Sequence, residues 1–232
     1  MMNFKHRSYQ KELLDNDAIP FADVQQNMHE LDVINARLGG HRVTLKGFNL
    51  LRNGKRTLHV CEIGCGGGDN LMAIYKWCKK LDIQTTFTGI DIKEECIAYA
   101  KAKQALPICT NWICSDYRDV HFTTKPDIVF SSLFCHHFTD VELIQQLQWM
   151  QAQSSIGFFI NDLQRNPIAY YSIQLLTRLF SKSYLVKNDA PLSVRRGFTK
   201  GEWQAIFAQA AIDSYNINWQ WAFRYLITYR HE

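Results

Sequence analysis

An α/β fold built around a parallel sheet follows from three observations on this chain of 232 residues. First, 58–69 reads Leu-His-Val-Cys-Glu-Ile-Gly-Cys-Gly-Gly-Gly-Asp, a short apolar run that ends in an acid and a glycine-rich stretch. Asn70 to Lys79 continues it, with Leu71, Ile74, Tyr75 and Cys78 at helical spacing. That is a strand, a tight turn and a helix start. Second, β-rich runs ending in polar residues recur, separated by helical patterns. Third, the chain closes on two aromatic runs near 214–220 and 223–230, which read as a hairpin of strands.

Taken in order, residues 1–20 read as an irregular arm ending at Pro20. In 22–38, Val24, Met28, Leu31, Ile34 and Leu38 share one helical face, which Gly39-Gly40 terminates. That face is suited to packing on the sheet or to serving as a lid. A second helix or turn spans 41–51. The alternating core then runs from about 56 to 162, with helices near 69–80, 94–104 and 140–152. Strands end at Glu62, at Asp91 and Ile92, at Asp116 and Tyr117, at Ser132, and at Asp162. After Asp162, the stretch 168–180 is apolar around more than one face, the mark of a helix that is buried or meets a partner or ligand. A polar loop is expected over 187–197. Thr199 with Glu202 makes a capping box for a helix to about Ala211. The domain reading is therefore an N-terminal helical arm or cap over 1–55. The main domain spans 56–232, with a helix-and-loop insertion at about 163–198.

The glycines at 64, 66 and 68 allow positive φ and a close ligand approach, and the helix N-terminus that follows favours an anionic group. A dinucleotide fingerprint would need a third glycine where Asp69 stands. The pattern, Glu62 followed by Gly64-Cys65-Gly66-x-Gly68, instead resembles motif I of class I S-adenosylmethionine-dependent methyltransferases. The resemblance covers about 56–165. It implies a Rossmann-like seven-stranded mixed sheet with helices on both faces, the last two strands forming an antiparallel hairpin. It also implies a cofactor site of Glu62, Gly64, Cys65, Gly66, Gly68, Asp91, Ile92, Asp116, Tyr117 and Leu133. In it, Asp91 accepts from the ribose hydroxyls, Ile92 lies on the adenine and Asp116 accepts from the adenine amino group. S-adenosyl-L-homocysteine is the implied product. Taken singly, Asp91 and Asp116 would also serve as helix N-caps, and Glu62 as a solvated strand-end acid.

The composition narrows the partners. Net charge is +4, without the basic stripe of a nucleic-acid binder, and no apolar run approaches a membrane span. The N-terminus lacks a secretory apolar core. Seven cysteines, mostly in or beside predicted elements and without a C-x-x-C pair, read as reduced thiols. A cytoplasmic protein with a small-molecule substrate, no nucleic acid and no metal is expected. The oligomeric state is not legible.

A hydroxyl acceptor near pKa 10 calls for a base. His136 and His137 follow the fourth strand, with His136 the favoured base, and Asp162 stands where it could orient an imidazole. Plain structural hydrogen bonding is the alternative for the pair. Leu-Phe-Cys-His-His-Phe, Asn-Asp-Leu-x-Arg, the Tyr-Tyr helix and Asp-Ala-Pro-Leu-Ser-Val-Arg-Arg-Gly-Phe resemble bacterial small-molecule methyltransferases of the quinone and polyketide type. This resemblance implies an aromatic or lipid-like acceptor, met by Tyr170 on the helix and by Arg165, Arg195 and Arg196 pairing with an anionic group. Those arginines serve equally well as solvated residues or helix-end partners. O-methylation of a phenol- or quinol-like secondary metabolite is the expected reaction. The alternatives are C- or N-methylation of a small molecule, or a non-catalytic cofactor-binding regulatory module.

Overall fold

The structure, a computed structural model, describes residues 3–16, 19–103 and 110–232. The strands are β1 (Thr57–Ile63), β2 (Gln84–Asp91), β3 (Thr110–Cys114), β4 (Ile128–Ser132), β5 (Gly157–Leu163), β6 (Tyr215–Gln220) and β7 (Arg224–Arg230). They form one sheet in the order β3-β2-β1-β4-β5-β7-β6. β1 to β5 pair in parallel, and β7 runs antiparallel between β5 and β6. The seven-stranded mixed sheet and its terminal hairpin are as the sequence predicts.

The helices are α1 (Phe21–Arg37), α2 (Gly40–Arg52), α3 (Asp69–Lys80), α4 (Glu94–Ala102), α5 (Asp140–Gln153), α6 (Pro167–Phe180), α7 (Tyr184–Arg196) and α8 (Lys200–Gln209). The last residue of the helix expected over 94–104 lies outside the described residues. Successive strand side chains point to opposite faces, so two cores form. Leu58 and Val60 of β1, with Phe159 of β5, pack under α2 and α3 against Phe48, Leu71 and Ile74. Cys61 and Ile63, with Phe158 and Ile160, pack under α5 and α8 against Leu147, Trp203 and Phe207. Thr139 and Thr199 cap α5 and α8 through capping boxes with Glu142 and Glu202.

One expectation changes. The stretch 187–197 is not a loop but most of α7, which contains Pro191. Ser183 caps this helix, and Leu185, Val186, Leu192 and Val194 are buried. That burial outweighs the missing proline N–H. Asp189, read as a loop residue, is buried and accepts from the backbone N–H groups of Leu13 and Leu14. For α1 the sequence leaves two roles open, packing on the sheet or serving as a lid. It contacts α2, α4 and α7, and Met28, Leu31, Ile34 and Leu38 face a cavity. With α6 and α7 it roofs the carboxyl ends of β1, β4 and β5.

The arm is also docked. Arg7 donates to Asp140 Oδ1 at 2.6 Å and to the carbonyls of Phe138 and Arg196, and its guanidinium lies 4.1 Å from the Phe198 ring centre. Among the described residues, no helix is long and apolar enough to cross a membrane. The six described cysteines are free thiols, and all but Cys114 are buried.

Candidate active site

A cavity of about 550 Å³ opens at the carboxyl edge of the sheet. One end is the turn after β1. Gly64, Gly66 and Gly68 hold φ of 65°, 48° and 72°, the left-handed region that favours glycine. A Cβ on Gly64 would enter the Phe134 ring, and one on Gly68 would lie 2.5 Å from Trp112. Asp91 pins this turn from the end of β2. Its Oδ2 accepts from Gly66 N at 2.8 Å and its Oδ1 from Lys93 N at 2.9 Å. Burial outweighs these bonds and raises the Asp91 carboxyl above the usual range. Each oxygen keeps a further lone pair for a ligand. Gly64, Cys65, Gly66, Asp91 and Ile92 line the cavity together, and the Ile92 side chain is 68% exposed there.

The other predicted cofactor residues are placed differently. Glu62 lies beneath the turn, 1% exposed, and accepts from Asn70 Nδ2 at 3.0 Å. Burial, reinforced by Asp69 and Asp91, pushes its carboxyl well above the usual range. It therefore anchors α3 rather than facing the cavity. Asp116 caps the short helical turn after β3 and pairs with the Arg118 guanidinium. Tyr117 is packed among Phe134, Phe138 and Trp149. Neither lines the cavity. Leu133 does, at φ 54° with its N–H bonded to Asn161 O at 2.9 Å.

The two histidines line the same cavity. His136 Nδ1 meets Asp162 Oδ1 at 2.8 Å, and its Nε2 lies 3.6 Å from Glu12 Oε1. Asp162 also accepts from the backbone N–H groups of Phe134, His136 and Leu163. Burial alone would lower His136, but the charges and hydrogen bonds of Asp162 and Glu12 prevail and raise it to about 9. His136 is then an imidazolium at neutral pH. A protonated ring has no lone pair to accept with, and this charge argues against His136 as the base. His137 is partly exposed, with Nδ1 at 3.3 Å from Asp15 Oδ1 and Nε2 at 3.8 Å from Glu12 Oε2. Burial would raise the Asp15 carboxyl, yet its hydrogen bond to His137 and that residue's charge hold it down to about 2. The two rings lie 4.4 Å apart.

Because the folded-state pKa of His136 is raised, its stabilising effect is complete below about 6.5, the ordinary histidine value. It is lost as pH rises through about 9. Melting temperature should therefore fall across this window, and His136→Gln should remove that component of the slope. Parallel wild-type and variant slopes would refute the charged assignment.

Of the four predicted acceptor contacts, three are engaged elsewhere and the fourth, Arg195, does not line the cavity. Arg165 pairs with both Glu202 oxygens and donates to the carbonyls of Phe4, Lys5 and Gly197. Arg196 donates to the carbonyls of Gln10, His136 and His137. Tyr170 packs on Phe4 and Tyr171, while Ala169, Ile173 and Leu176 present the cavity face of α6. Arg195 is half-buried and does not line the cavity. Sequence reasoning missed Glu12, Asp15, Asn35 and Arg224, which do line it. Their signal is long-range pairing, which no local pattern carries. Ligand atoms of Glu12, His136 and His137 lie within 4.8 Å of one another, as do those of Asp32, His41 and Asp69, spacings that would accept a cation.

Residues 60–153 match the family described as "Methyltransferase domain". No curated protein sequence matches the chain. Among similar solved structures is human N-acetylserotonin methyltransferase in complex with SAM, at 18% identity and TM-score 0.63. That match covers 91% of this chain and 56% of the human one, so the chain spans just over half its length. The plantazolicin methyltransferase BpumL, in complex with a monoazolic desmethylPZN analog and SAH, matches at 20% identity and TM-score 0.62, over 87% of this chain and 75% of that one. Magnesium protoporphyrin IX methyltransferase from Synechocystis PCC 6803, with bound SAH, matches at 12% identity and TM-score 0.53, over 94% and 90%. At such identities the likeness is one of fold.

Proposed function

We propose that this chain, whose residues 60–153 match the methyltransferase-domain family, transfers a methyl group from S-adenosylmethionine to the hydroxyl of a small aromatic acceptor. One observation carries the reading: a single cavity joins the glycine turn and Asp91 to His137 beneath an apolar roof of Met28, Leu31, Ile34, Ile173 and Leu176. The residues fit the cofactor, since Gly64 and Gly66 bring the backbone to the cavity wall at positive φ and the buried Asp91 retains acceptor capacity for a diol. S-adenosylmethionine supplies a methyl already activated on a sulfonium.

The chain's own part is to position, exclude water and move one proton. The roof desolvates the acceptor. His137 is placed to take the acceptor's hydroxyl proton, while the methyl that the bound cofactor would supply passes from its sulfonium to the oxygen and S-adenosylhomocysteine leaves with the sulfur's electron pair. Glu12 and Asp15 are placed to stabilise the imidazolium that results. The Asp162–His136–Glu12 chain holds the 133–138 turn, and hence His137, in register.

Titration calorimetry with S-adenosylhomocysteine, NAD and NADP tests the cofactor. Micromolar binding of S-adenosylhomocysteine alone is expected, and its absence would sink the reading. Asp91→Ala should weaken that binding by about 1–3 kcal/mol, the worth of a charged hydrogen-bond acceptor. Unchanged affinity would remove Asp91 from the site. Tight cofactor binding with no turnover over a broad panel of phenols, amines and carbon acids would favour a regulatory module.

A further inference from the structure

Arg224 opens β7, opposite Leu163 at the end of β5, and so reaches the same edge of the sheet as Asp162. It is 3% exposed and lines the cavity. Its Nη2 donates to Asn35 Oδ1 at 3.0 Å, while Nε and Nη1 meet no hydrogen-bond partner among the described residues. Nor does any described carboxylate form an ion pair with it. Asp162 is taken up by His136 and three backbone N–H groups, and Asp69 by His41 at 2.8 Å.

A guanidinium is almost never buried without an anion, because the lost hydration must be replaced. Burial does bring the Arg224 guanidinium down to about 10, against the help of Asp162 and Asp69, which leaves it charged at neutral pH. The fold makes room for it. A Cβ on Gly40 would lie 3.1 Å from Arg224 Nη2 and 2.6 Å from Asn35 Oδ1. Leu38, Trp221 and Phe223 line the cavity nearby, and an apolar setting strengthens a charge-assisted hydrogen bond.

We propose that Arg224 is a carboxylate receptor, its buried guanidinium charge holding an anionic group of a ligand in this cavity. The proposal rests on the methyl-transfer reading above and deepens it. In that reading two ligands bring a carboxylate here: the amino-acid end of the cofactor, or a carboxylated aromatic acceptor.

Two probe pairs separate the sources. S-adenosylhomocysteine carries the amino acid and 5′-methylthioadenosine lacks it; 4-hydroxybenzoate carries a carboxylate and 4-hydroxybenzamide lacks it. Each is titrated into wild type, Arg224→Met and Arg224→Lys, the second pair after loading with S-adenosylhomocysteine. Losing charged hydrogen bonds should weaken the carboxylate member of one pair roughly 10- to 100-fold in Arg224→Met. Its neutral counterpart should stay within about threefold, and Arg224→Lys should fall between. The pair that splits names the source. If both carboxylates bind a folded Arg224→Met as tightly as wild type, the proposal is overturned; should that variant unfold, equal binding by Arg224→Lys and no wild-type preference for either carboxylate do the same. Failure of wild type to bind S-adenosylhomocysteine would instead defeat the methyl-transfer reading, while the hydroxybenzoate pair, titrated without it, still decides Arg224.

Discussion

Gly64→Val should eliminate measurable binding of S-adenosylhomocysteine. Two costs coincide at this position. The backbone stands at φ 65°, where a β-branched residue is strained by about 1–3 kcal/mol. Its side chain would also enter the Phe134 ring, an overpacking that costs roughly 1–3 kcal/mol more. Phe134 cannot simply step aside. Its ring packs edge-on against Tyr117 and Phe138, and its N–H is bonded to Asp162 at 3.2 Å. Relief therefore moves either the glycine turn or the turn that carries the histidines, and both bound the cavity. Calorimetry should show an affinity loss of at least about 100-fold, with a lower melting temperature. Gly201→Ala is the control. It stands in α8 with open space around a Cβ, so it should be stabilising by up to ~1 kcal/mol and leave binding intact. Wild-type affinity in Gly64→Val would mean that this turn does not hold the cofactor.

The parts of this site that were legible in the sequence are those encoded locally. The glycine turn shows because three residues must adopt positive φ within five positions, and few residues other than glycine do so. Asp91 shows because a strand must end where the sheet opens. Asp116 marks the boundary of such reading: an acid before a helical turn looks the same whether it caps the turn or meets a ligand, and here Arg118 and the cap occupy it. The arginines mislead for a related reason. Arg165 and Arg196 sit near the rim, but their long side chains turn inward to carbonyls of the arm and the His136–His137 turn. α7 was hidden because its polar residues and Pro191 suggest a loop, whereas Asp189 is polar in order to bind the arm. Glu12, Asp15 and Arg224 come from opposite ends of the chain. Only the closed sheet and the docked arm bring them to one cavity.

That docked arm makes the last expected result specific. His137→Ala should lower turnover of a phenolic acceptor by roughly 10²–10⁴-fold, the usual worth of a positioned base, while affinity for S-adenosylhomocysteine stays within about threefold. The loss should shrink at high pH, where a phenol near pKa 10 ionises unaided. Glu12→Gln should act in the same direction but less strongly, because it removes one of the two carboxylates beside His137 and leaves the imidazole in place. His136→Gln should behave differently. It removes the buried partner of Asp162, so its main cost falls on stability and on the position of the 133–138 turn, and high pH should not restore it. The measurement is turnover against pH for the three variants, read by mass spectrometry of the methylated product. If His137→Ala keeps near-full turnover at neutral pH, proton abstraction by this side chain is wrong. Proximity in a dry cavity, or a carbon nucleophile, then becomes the better account. If His136→Gln rather than His137→Ala is rescued by high pH, the roles of the two imidazoles are reversed.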